Sequence, residues 1–144
     1  WQEACKRQLC GYPQTMIEVT CAIIVENGRV LATRRSETMP HPLKWEFPGG
    51  KLKDGESPEQ CIVREIREEV GIEVEVKQVL GPVTHQYQEH SIKLIPIICH
   101  ILEGIISLSE HMEYSWIAPT KLGELDWLEA DVEVASMAKE ALQS

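Results

Sequence analysis

The sequence predicts one α/β domain in which a mixed β-sheet lies between helices, an α/β/α sandwich of the α+β type. Three observations lead to this prediction. The chain has 144 residues, of which 43% are hydrophobic, enough for a single core. Apolar, β-branched runs dominate its middle, and segments with helix-capping signals flank them. No repeat or linker indicates a second folded unit.

The strands are predicted from apolar runs and the turn signals between them. Asn27-Gly28 is a strong hairpin signal between two such runs. Residues 36–44 contain two prolines and are predicted to form a loop, and Pro48-Gly49-Gly50 is predicted to stop the extended piece before it. Pro96 indicates a sheet edge or a bulge. The predicted strands are residues 16–25, 29–33, 45–47, 72–80, 91–102 and 114–118.

The central helix has clear signals at both ends. Ser57 with Gln60 three residues later resembles a capping box, and Pro58 occupies a position that the first helical turn tolerates. We expect this helix to reach Val70, where Gly71 provides a C-terminal stop. The other predicted helices are residues 119–125 and a C-terminal helix capped by Asp131 that reaches Leu142.

The charge of the chain limits its partners. The sequence has a formal net charge of −9 and a pI near 5.0. Such a chain repels polyanions, so we expect no binding to nucleic-acid polymers or to anionic membranes. A small anionic substrate remains compatible with this charge, because a bound cation reverses the local field.

The sequence also predicts the compartment and the extent of the domain. No apolar run approaches the roughly 20 residues of a membrane span, and no signal peptide is visible, so a cytoplasmic protein is expected. The five cysteines lack Cys-x-x-Cys spacing, which predicts free thiols. Residues 1–15 differ from the domain predicted at residues 16–144, and we interpret them as an N-terminal extension or a cloning remnant. A monomer or a homodimer is expected.

The central helix has an apolar face and an acidic face. With about 3.6 residues per turn, Glu65, Glu68 and Glu69 fall together beside the apolar stripe. Carboxylates at this spacing repel one another, and arginines of the same helix offset only part of the repulsion. A Mg²⁺ ion prefers oxygen ligands of this kind. In isolation such a run is more often a solvated acidic face, so the surrounding residues decide between the two interpretations.

The spacing of those residues is specific. Gly50 is followed after five residues by Glu56, and after seven more by the run from Arg64 to Gly71-Ile72. This pattern matches every defined position of the signature of the Nudix hydrolase family, which the chain therefore resembles. Residues 16–143 look like a MutT-like Nudix domain. The flanking matches are LATRRS (31–36), WEFPGGK (45–51), Ser109-Glu110-His111 before Trp116, and Ala130-Asp131.

The resemblance implies a Nudix-type sandwich that uses Mg²⁺, with Mn²⁺ as the alternative. It implies that Glu65 and Glu69 bind the metal directly, together with Glu68 and the Gly49 carbonyl. Arg64 is expected to orient Glu56 or a helix carboxylate, or only to stabilise the helix. Glu110 matches a loop glutamate that binds metal or acts as the base, and which glutamate is the base stays open. Gly50, Glu56 and Gly71 complete the motif.

The resemblance also implies contacts with the nucleotide. Arg35 is expected to contact the nucleotide and Lys51 a phosphate, although each could be only a surface charge. Asp131 is either a helix cap or the group that recognises the base edge, and an Asp donates a hydrogen bond only when it is protonated. Candidates for stacking on the base, for which core burial is the commoner role, are Tyr87, Trp45 and Trp127. His85, His90, His100 and His111 show no ligand spacing and are expected to be structural or exposed.

The activity that the resemblance implies is hydrolysis of a nucleoside diphosphate linked to another group. In MutT-like members that group is phosphate, so the products are a nucleoside monophosphate and pyrophosphate. An oxidised purine triphosphate such as 8-oxo-dGTP is the first expectation, and CTP or a modified dCTP is the alternative. Non-catalytic nucleotide-binding regulators on the same fold usually lack the box carboxylates, which are all present here.

Overall fold

The computed structural model describes residues 16–86 and 90–143. Its strands are β1 (Met16–Glu26), β2 (Arg29–Arg34), β3 (Trp45–Glu46), β4 (Gly49–Lys51), β5 (Glu73–Val79), β6 (Val83–Gln86), β7 (Ser91–Glu103) and β8 (Glu113–Ile117). Its helices are α1 (Pro58–Val70), two 3₁₀ helices (Pro119–Glu124 and Glu129–Asp131) and α2 (Val132–Gln143). The predicted N-terminal extension at residues 1–15 and the candidate Tyr87 lie outside the described residues.

The strands form a mixed sheet in the order β3-β2-β1-β7-β5, while β4 pairs with β1, β6 with β7 and β8 with β2. The long strands β1 and β7 run parallel from the pair Met16–Ser91 to the pair Ile24–Cys99. The other pairings among the named strands of the described residues are antiparallel. The predicted mixed sheet is confirmed.

Alternate side chains of β1 enter two apolar cores on opposite faces of the sheet. Ala22 and Ile24 belong to the core that α1 covers, whereas Cys21 and Ile23 belong to the core that α2 covers. The helix residues buried in these cores are Ile62, Ile66 and Val70 of α1 and Val134, Ala135 and Ala138 of α2. Helices therefore pack on both faces of the sheet, as the sandwich prediction requires.

The predictions for the first hairpin and for both ends of the central helix are confirmed. Asn27 and Gly28 both have positive φ and join β1 to β2 in a tight hairpin. The Ser57 hydroxyl accepts from the Gln60 amide at 3.1 Å, and the Gln60 side chain accepts from the Ser57 amide at 3.0 Å. This capping box begins α1, and Gly71 ends it in a left-handed conformation.

One sheet prediction is incomplete and another is wrong. The strand β3 ends before Pro48, as predicted, but Gly49 and Gly50 then begin a further strand, β4, which pairs with β1 and was not predicted. A Cβ atom on Gly49 would overlap the Thr20 carbonyl oxygen, so glycine allows this close pairing. Pro96 lies neither at an edge nor in a bulge, but in the central strand β7. It faces the turn between β5 and β6, where Leu80 N donates to its carbonyl, and the sequence analysis did not predict β6.

The structure bears on two further predictions, that the cysteines are free thiols and that no segment spans a membrane, within residues 16–86 and 90–143. Cys21, Cys61 and Cys99 are buried free thiols, as predicted for these three. Among the helices within residues 16–86 and 90–143, none is long and apolar enough to cross a membrane.

Candidate active site

Two cavities adjoin one another where β3 and β4 meet α1. The first, which we call the acidic cavity, has a volume of about 390 Å³ and is lined by Glu46, Glu65, Glu68, Glu69 and Glu110 among others. The second, the apolar cavity, has a volume of about 700 Å³ and ends at Asp131. Both cavities are lined by Arg35, Glu46, Phe47 and Gly49. A single elongated ligand can therefore span an acidic end and an apolar end.

The glycines of β4 bring the acidic face of α1 against the sheet. A Cβ atom on Gly50 would overlap the Glu65 carboxylate, so this carboxylate lies directly on the strand backbone. The Thr20 hydroxyl of β1 donates to the Gly50 carbonyl at 3.1 Å, which fixes the strand in place. The motif glycine therefore makes room for a helix carboxylate at the cavity wall.

Arg64 binds two of the predicted carboxylates at once. Its Nε and Nη2 donate to Glu56 at 2.7 and 3.0 Å, and its Nη1 donates to Glu65 at 2.8 Å. Its Nη2 also donates to the Lys51 carbonyl at 3.2 Å. The hydrogen bonds that Arg64 donates to Glu56 lower the pKa of Glu56 to about 2, and the same bonds raise the pKa of Arg64. The arginine thus has the orienting contacts expected of it, and its part in the reaction stays a prediction.

Glu69 carries the strongest electrostatic signature of the acidic cavity. The pKa of Glu69 is raised to about 8, first by burial and then by the nearby carboxylates of Glu46, Glu65 and Glu110, while a hydrogen bond from the Gly49 amide opposes the shift. Without a cation, this carboxyl group therefore favours its protonated form at neutral pH. A cation among these oxygens would reverse the shift.

The donor set suits a hard divalent cation, although side chains alone do not define its position. The acidic cavity offers the carboxylates of five glutamates together with backbone oxygens, and such oxygens are the ligands that Mg²⁺ and Mn²⁺ prefer. In the described part of the chain, no three His, Cys, Asp or Glu side chains converge into a metal-binding group. The predicted ligands Glu65, Glu68, Glu69, Glu110 and Gly49 nevertheless all line this one cavity.

Lys51 is a predicted site residue whose side chain lies outside both cavities. Its side chain is exposed on β4, and it lines neither the acidic nor the apolar cavity. Only its carbonyl oxygen takes part, as an acceptor for Arg64 and Cys61. The predicted phosphate contact of Lys51 stays a prediction.

Asp131 closes the apolar cavity and is itself buried, with 5% of its surface exposed. Its Oδ2 accepts a hydrogen bond from the Phe47 amide at 3.1 Å, which directs the side chain across to β3. Burial raises the pKa of Asp131 to about 8, and the Glu46 carboxylate adds to the shift, whereas Phe47 N–H and Arg35 oppose it. Asp131 therefore lines the apolar cavity, and its part in recognising a base edge stays a prediction.

The two tryptophans considered as stacking candidates lie outside the cavities, in keeping with the core burial expected to be their commoner role. The Trp127 ring is buried and stacks on Phe47 with centroids 4.5 Å apart, and its Nε1 donates to the Leu122 carbonyl. Trp45 lies under the Arg34 guanidinium at 5.7 Å. Neither tryptophan lines the two cavities, so for Trp127 core burial is the observed role. Phe47 is the aromatic residue that lines both cavities.

Three residues that the sequence analysis did not assign to the site also belong to it. These are Glu46, Phe47 and His111. His111, expected to be structural or exposed, lines the acidic cavity with 6% of its side chain exposed. Their positions in the sequence could have indicated that they belong to the site. Glu46 and Phe47 directly precede Pro48-Gly49-Gly50, and His111 follows the candidate Glu110.

Comparisons with known proteins agree with this site. A family model for the NUDIX domain matches residues 15–138. The chain is 35% identical over 120 residues to the CTP pyrophosphohydrolase of Escherichia coli strain K12, and this match covers 81% of this chain and 87% of that protein. It is 32% identical over 114 residues to the 8-oxo-dGTP diphosphatase of the same strain, with 79% and 88% covered. The crystal structure of the MutT protein from Methanosarcina mazei Go1 matches with a TM-score of 0.79 and 27% identity, over 92% of this chain and 99% of that one.

A phosphoanhydride hydrolase is the class of protein that this fold and site define. The chain belongs to the Nudix hydrolase family, because the family match covers most of its length. Its similarity to MutT-like proteins and to relatives named pyrophosphohydrolase and diphosphatase confirms the resemblance found in the sequence. The nucleotide that it hydrolyses is not settled by these relatives, because their printed names differ.

Proposed function

We propose that this protein hydrolyses a (deoxy)nucleoside triphosphate to the monophosphate and pyrophosphate. The observation that carries this proposal is the pair of adjoining cavities, one lined by carboxylates and one largely apolar, that share Arg35, Glu46, Phe47 and Gly49. The acidic cavity suits a cation with the phosphates, and the apolar cavity suits a nucleobase. The arrangement therefore matches the two ends of one nucleotide.

A divalent cation, with Mg²⁺ as the first candidate and Mn²⁺ as the second, is part of this proposal. Glu65, Glu69 and the Gly49 carbonyl would hold it, with Glu68 and Glu110 nearby. Bound there, the cation screens the phosphate oxygens and polarises the phosphoryl group for attack by water. Arg64 hydrogen-bonds to Glu65 and Glu56, so it would orient the Glu65 carboxylate toward the cation.

The base preference of the proposed reaction depends on Asp131. With its pKa raised to about 8, this carboxyl group carries a proton at neutral pH and offers one donor beside one acceptor. The N7–H and O6 of 8-oxoguanine present the complementary donor and acceptor. Unmodified guanine presents two acceptors there, N7 and O6, so it leaves the Asp131 acceptor unpaired. We therefore propose 8-oxo-dGTP as the substrate and nucleotide-pool sanitising as the role.

A cytosine nucleotide is the second candidate. The N4 amino group and N3 of cytosine also pair one donor with one acceptor, so a protonated Asp131 complements them as well. The relative named CTP pyrophosphohydrolase is 35% identical to this chain, compared with 32% for the Escherichia coli protein named 8-oxo-dGTP diphosphatase. Such a small difference does not separate the two substrates, and a direct assay is needed.

The test is pyrophosphate release from a panel of nucleotides, measured with Mg²⁺, with Mn²⁺ and after chelation of divalent cations. The panel contains dGTP, 8-oxo-dGTP, CTP, 5-methyl-dCTP, ADP-ribose and a dinucleoside polyphosphate. We expect cation-dependent release, with 8-oxo-dGTP preferred over dGTP. Preference for the cytosine nucleotides would replace the substrate and keep the chemistry. If no compound of the panel is hydrolysed, the proposed activity is wrong and a nucleotide-binding regulator becomes the better interpretation.

A further inference from the structure

Glu46 of β3 lies where the two cavities meet. One oxygen of its carboxylate accepts hydrogen bonds from two basic side chains. Its Oε2 accepts from Arg35 Nη1 at 2.9 Å and from His111 Nε2 at 2.6 Å. The three side chains are largely buried, with 15%, 15% and 6% of the side-chain surface exposed for Glu46, Arg35 and His111. Hydrogen bonds shielded from water in this way are stronger than exposed ones and depend more on geometry.

The backbone of Glu46 is fixed independently of these contacts. It pairs with Thr33 in the antiparallel β2–β3 ladder, and the buried Thr33 hydroxyl donates to the Glu46 carbonyl at 2.9 Å. The carboxylate therefore extends from a rigid strand. Its two partners, in contrast, belong to loops, because Arg35 follows the end of β2 and His111 precedes β8.

His111 connects the loop that carries Glu110 to the cavity. Backbone bonds hold this loop elsewhere, since Ser109 N donates to the Glu69 carbonyl at 3.1 Å and Met112 N donates to the Arg34 carbonyl at 3.0 Å. Between these two points, His111 provides the side-chain contact with Glu46. Glu110 is adjacent to it in sequence, so its position depends on where His111 is held.

Arg35 is oriented by the same carboxylate. Its Nη1 binds Glu46, and its Nε donates to the Pro40 carbonyl at 2.7 Å, so two bonds fix the plane of the guanidinium at the border of the cavities. Glu46 also lies among other acidic groups, because its charge contributes to the raised pKa of Glu69 and of Asp131. An acid retained in such a place needs a function that balances the repulsion.

We propose that Glu46 is a positioning residue for the hydrolysis proposed above, because one carboxylate oxygen holds both Arg35 and the His111 loop that carries Glu110. It couples the nucleoside end of the site to the cation end. The inference rests on the proposed function, and it assigns Glu46 no direct contact with phosphorus or with the cation. Its single requirement is an acceptor oxygen at the Oε2 position.

That requirement distinguishes positioning from direct participation. Glu46→Gln keeps an acceptor oxygen, whereas Glu46→Leu removes it at similar volume. We expect Glu46→Leu to lower kcat/KM by about 10- to 100-fold, the range seen when groups that orient an active site are lost. We expect Glu46→Gln to lower it by less than about fivefold, because a neutral hydrogen bond keeps part of the strength of a charged one.

A double variant tests whether Glu46 acts through His111. If it does, the double variant that combines Glu46→Leu and His111→Leu has a kcat no lower than that of the less active of the two single variants. Glu113 provides the matched control, since it forms an exposed ion pair with Arg34 at 3.0 Å, two residues beyond His111. Glu113→Gln and Glu113→Leu are expected to leave kcat and KM unchanged, and circular dichroism with thermal unfolding checks that each variant is folded.

Two results would overturn the proposal while the wild-type protein remains active. In the first, Glu46→Gln is as inactive as Glu46→Leu, which would make Glu46 a base or a direct ligand. In the second, the effects of Glu46→Leu and His111→Leu on kcat multiply, which would show that the two residues act separately. A wild-type protein that hydrolyses no triphosphate would instead refute the proposed function, and this inference with it.

Discussion

Replacing Asp131 with Asn is expected to change how the stability of the protein depends on pH. Asp131 is 5% exposed, and its pKa is raised from the ordinary value of 3.8 to about 8. The folded protein therefore binds a proton at this site more tightly than the unfolded chain does. The stability due to that proton is complete below about pH 4 and is lost as the pH rises through about 8. Asparagine cannot ionise, and its side-chain oxygen can still accept from the Phe47 amide.

The size of the effect follows from the displacement of the pKa. Each pH unit between the unfolded and folded pKa values changes the free energy of unfolding by about 1.4 kcal/mol. Over the whole displacement of about 4 units, the change approaches about 6 kcal/mol. Between pH 5 and pH 7 alone, the wild-type protein is expected to lose about 3 kcal/mol relative to Asp131→Asn. Such a difference is large compared with a total stability of about 5–15 kcal/mol.

The assay is urea unfolding followed by tryptophan fluorescence, at each pH unit from 5 to 9, for both proteins. The difference between the two curves isolates Asp131, because Glu69 titrates in both. The control is Asp126→Asn, whose carboxylate is 73% exposed in an ion pair with Lys44 and is expected to change stability by less than about 1 kcal/mol at any pH. If the difference between wild type and Asp131→Asn stays constant from pH 5 to pH 8, Asp131 is not held protonated and the reasoning fails.

Three further predictions concern the acidic face of α1 and its surroundings. Glu69→Gln is expected to lower cation-dependent triphosphate hydrolysis by at least about 100-fold. The same change at the exposed Glu59 of this helix is expected to leave the rate unchanged, and equal rates for the two variants would refute Glu69 as a cation ligand. Gly50→Ala places a Cβ against the Glu65 carboxylate, so it should lower stability by about 1–3 kcal/mol in urea unfolding and also reduce hydrolysis; unchanged values would show that the carboxylate can move away freely. Ser57→Ala removes one half of the capping box and should lower stability by about 1 kcal/mol in thermal unfolding, while a wild-type melting temperature would contradict the role of the cap.

The parts of the fold that the sequence predicted well are those with local causes. The Asn27-Gly28 hairpin and the Ser57–Gln60 capping box depend on residues within a few positions of one another, and both occur as predicted. Glu65, Glu68 and Glu69 of α1 line one cavity, because helical periodicity places them on one face. Pro96 was assigned wrongly because its tolerance in a central strand depends on where β5 and β6 end.

The parts of the site that the sequence did not predict depend on pairs that are far apart in the chain. The Glu46–His111 contact joins residues 65 positions apart, and the Phe47–Asp131 hydrogen bond joins residues 84 positions apart. No local pattern encodes either pair, because each exists only once the sheet has aligned β3 with the segments before β8 and α2. Phe47 was missed for the same reason, since its place on the lining of both cavities depends on the distant Trp127 ring, on which it stacks, and on Asp131.

The charge of the site gives these distant contacts a common explanation. The chain has a net charge of −9, and its acidic cavity is lined by five glutamates, so a triphosphate would be repelled by an empty cavity. The basic side chains that line this cavity are those of Arg35 and His111, and each forms a hydrogen bond with Glu46. The fold therefore fixes the few favourable groups rigidly and leaves the helix carboxylates Glu65, Glu68 and Glu69 facing the cavity. The cation proposed to bind those carboxylates would supply the attraction for an anionic substrate that the side chains of so acidic a cavity do not.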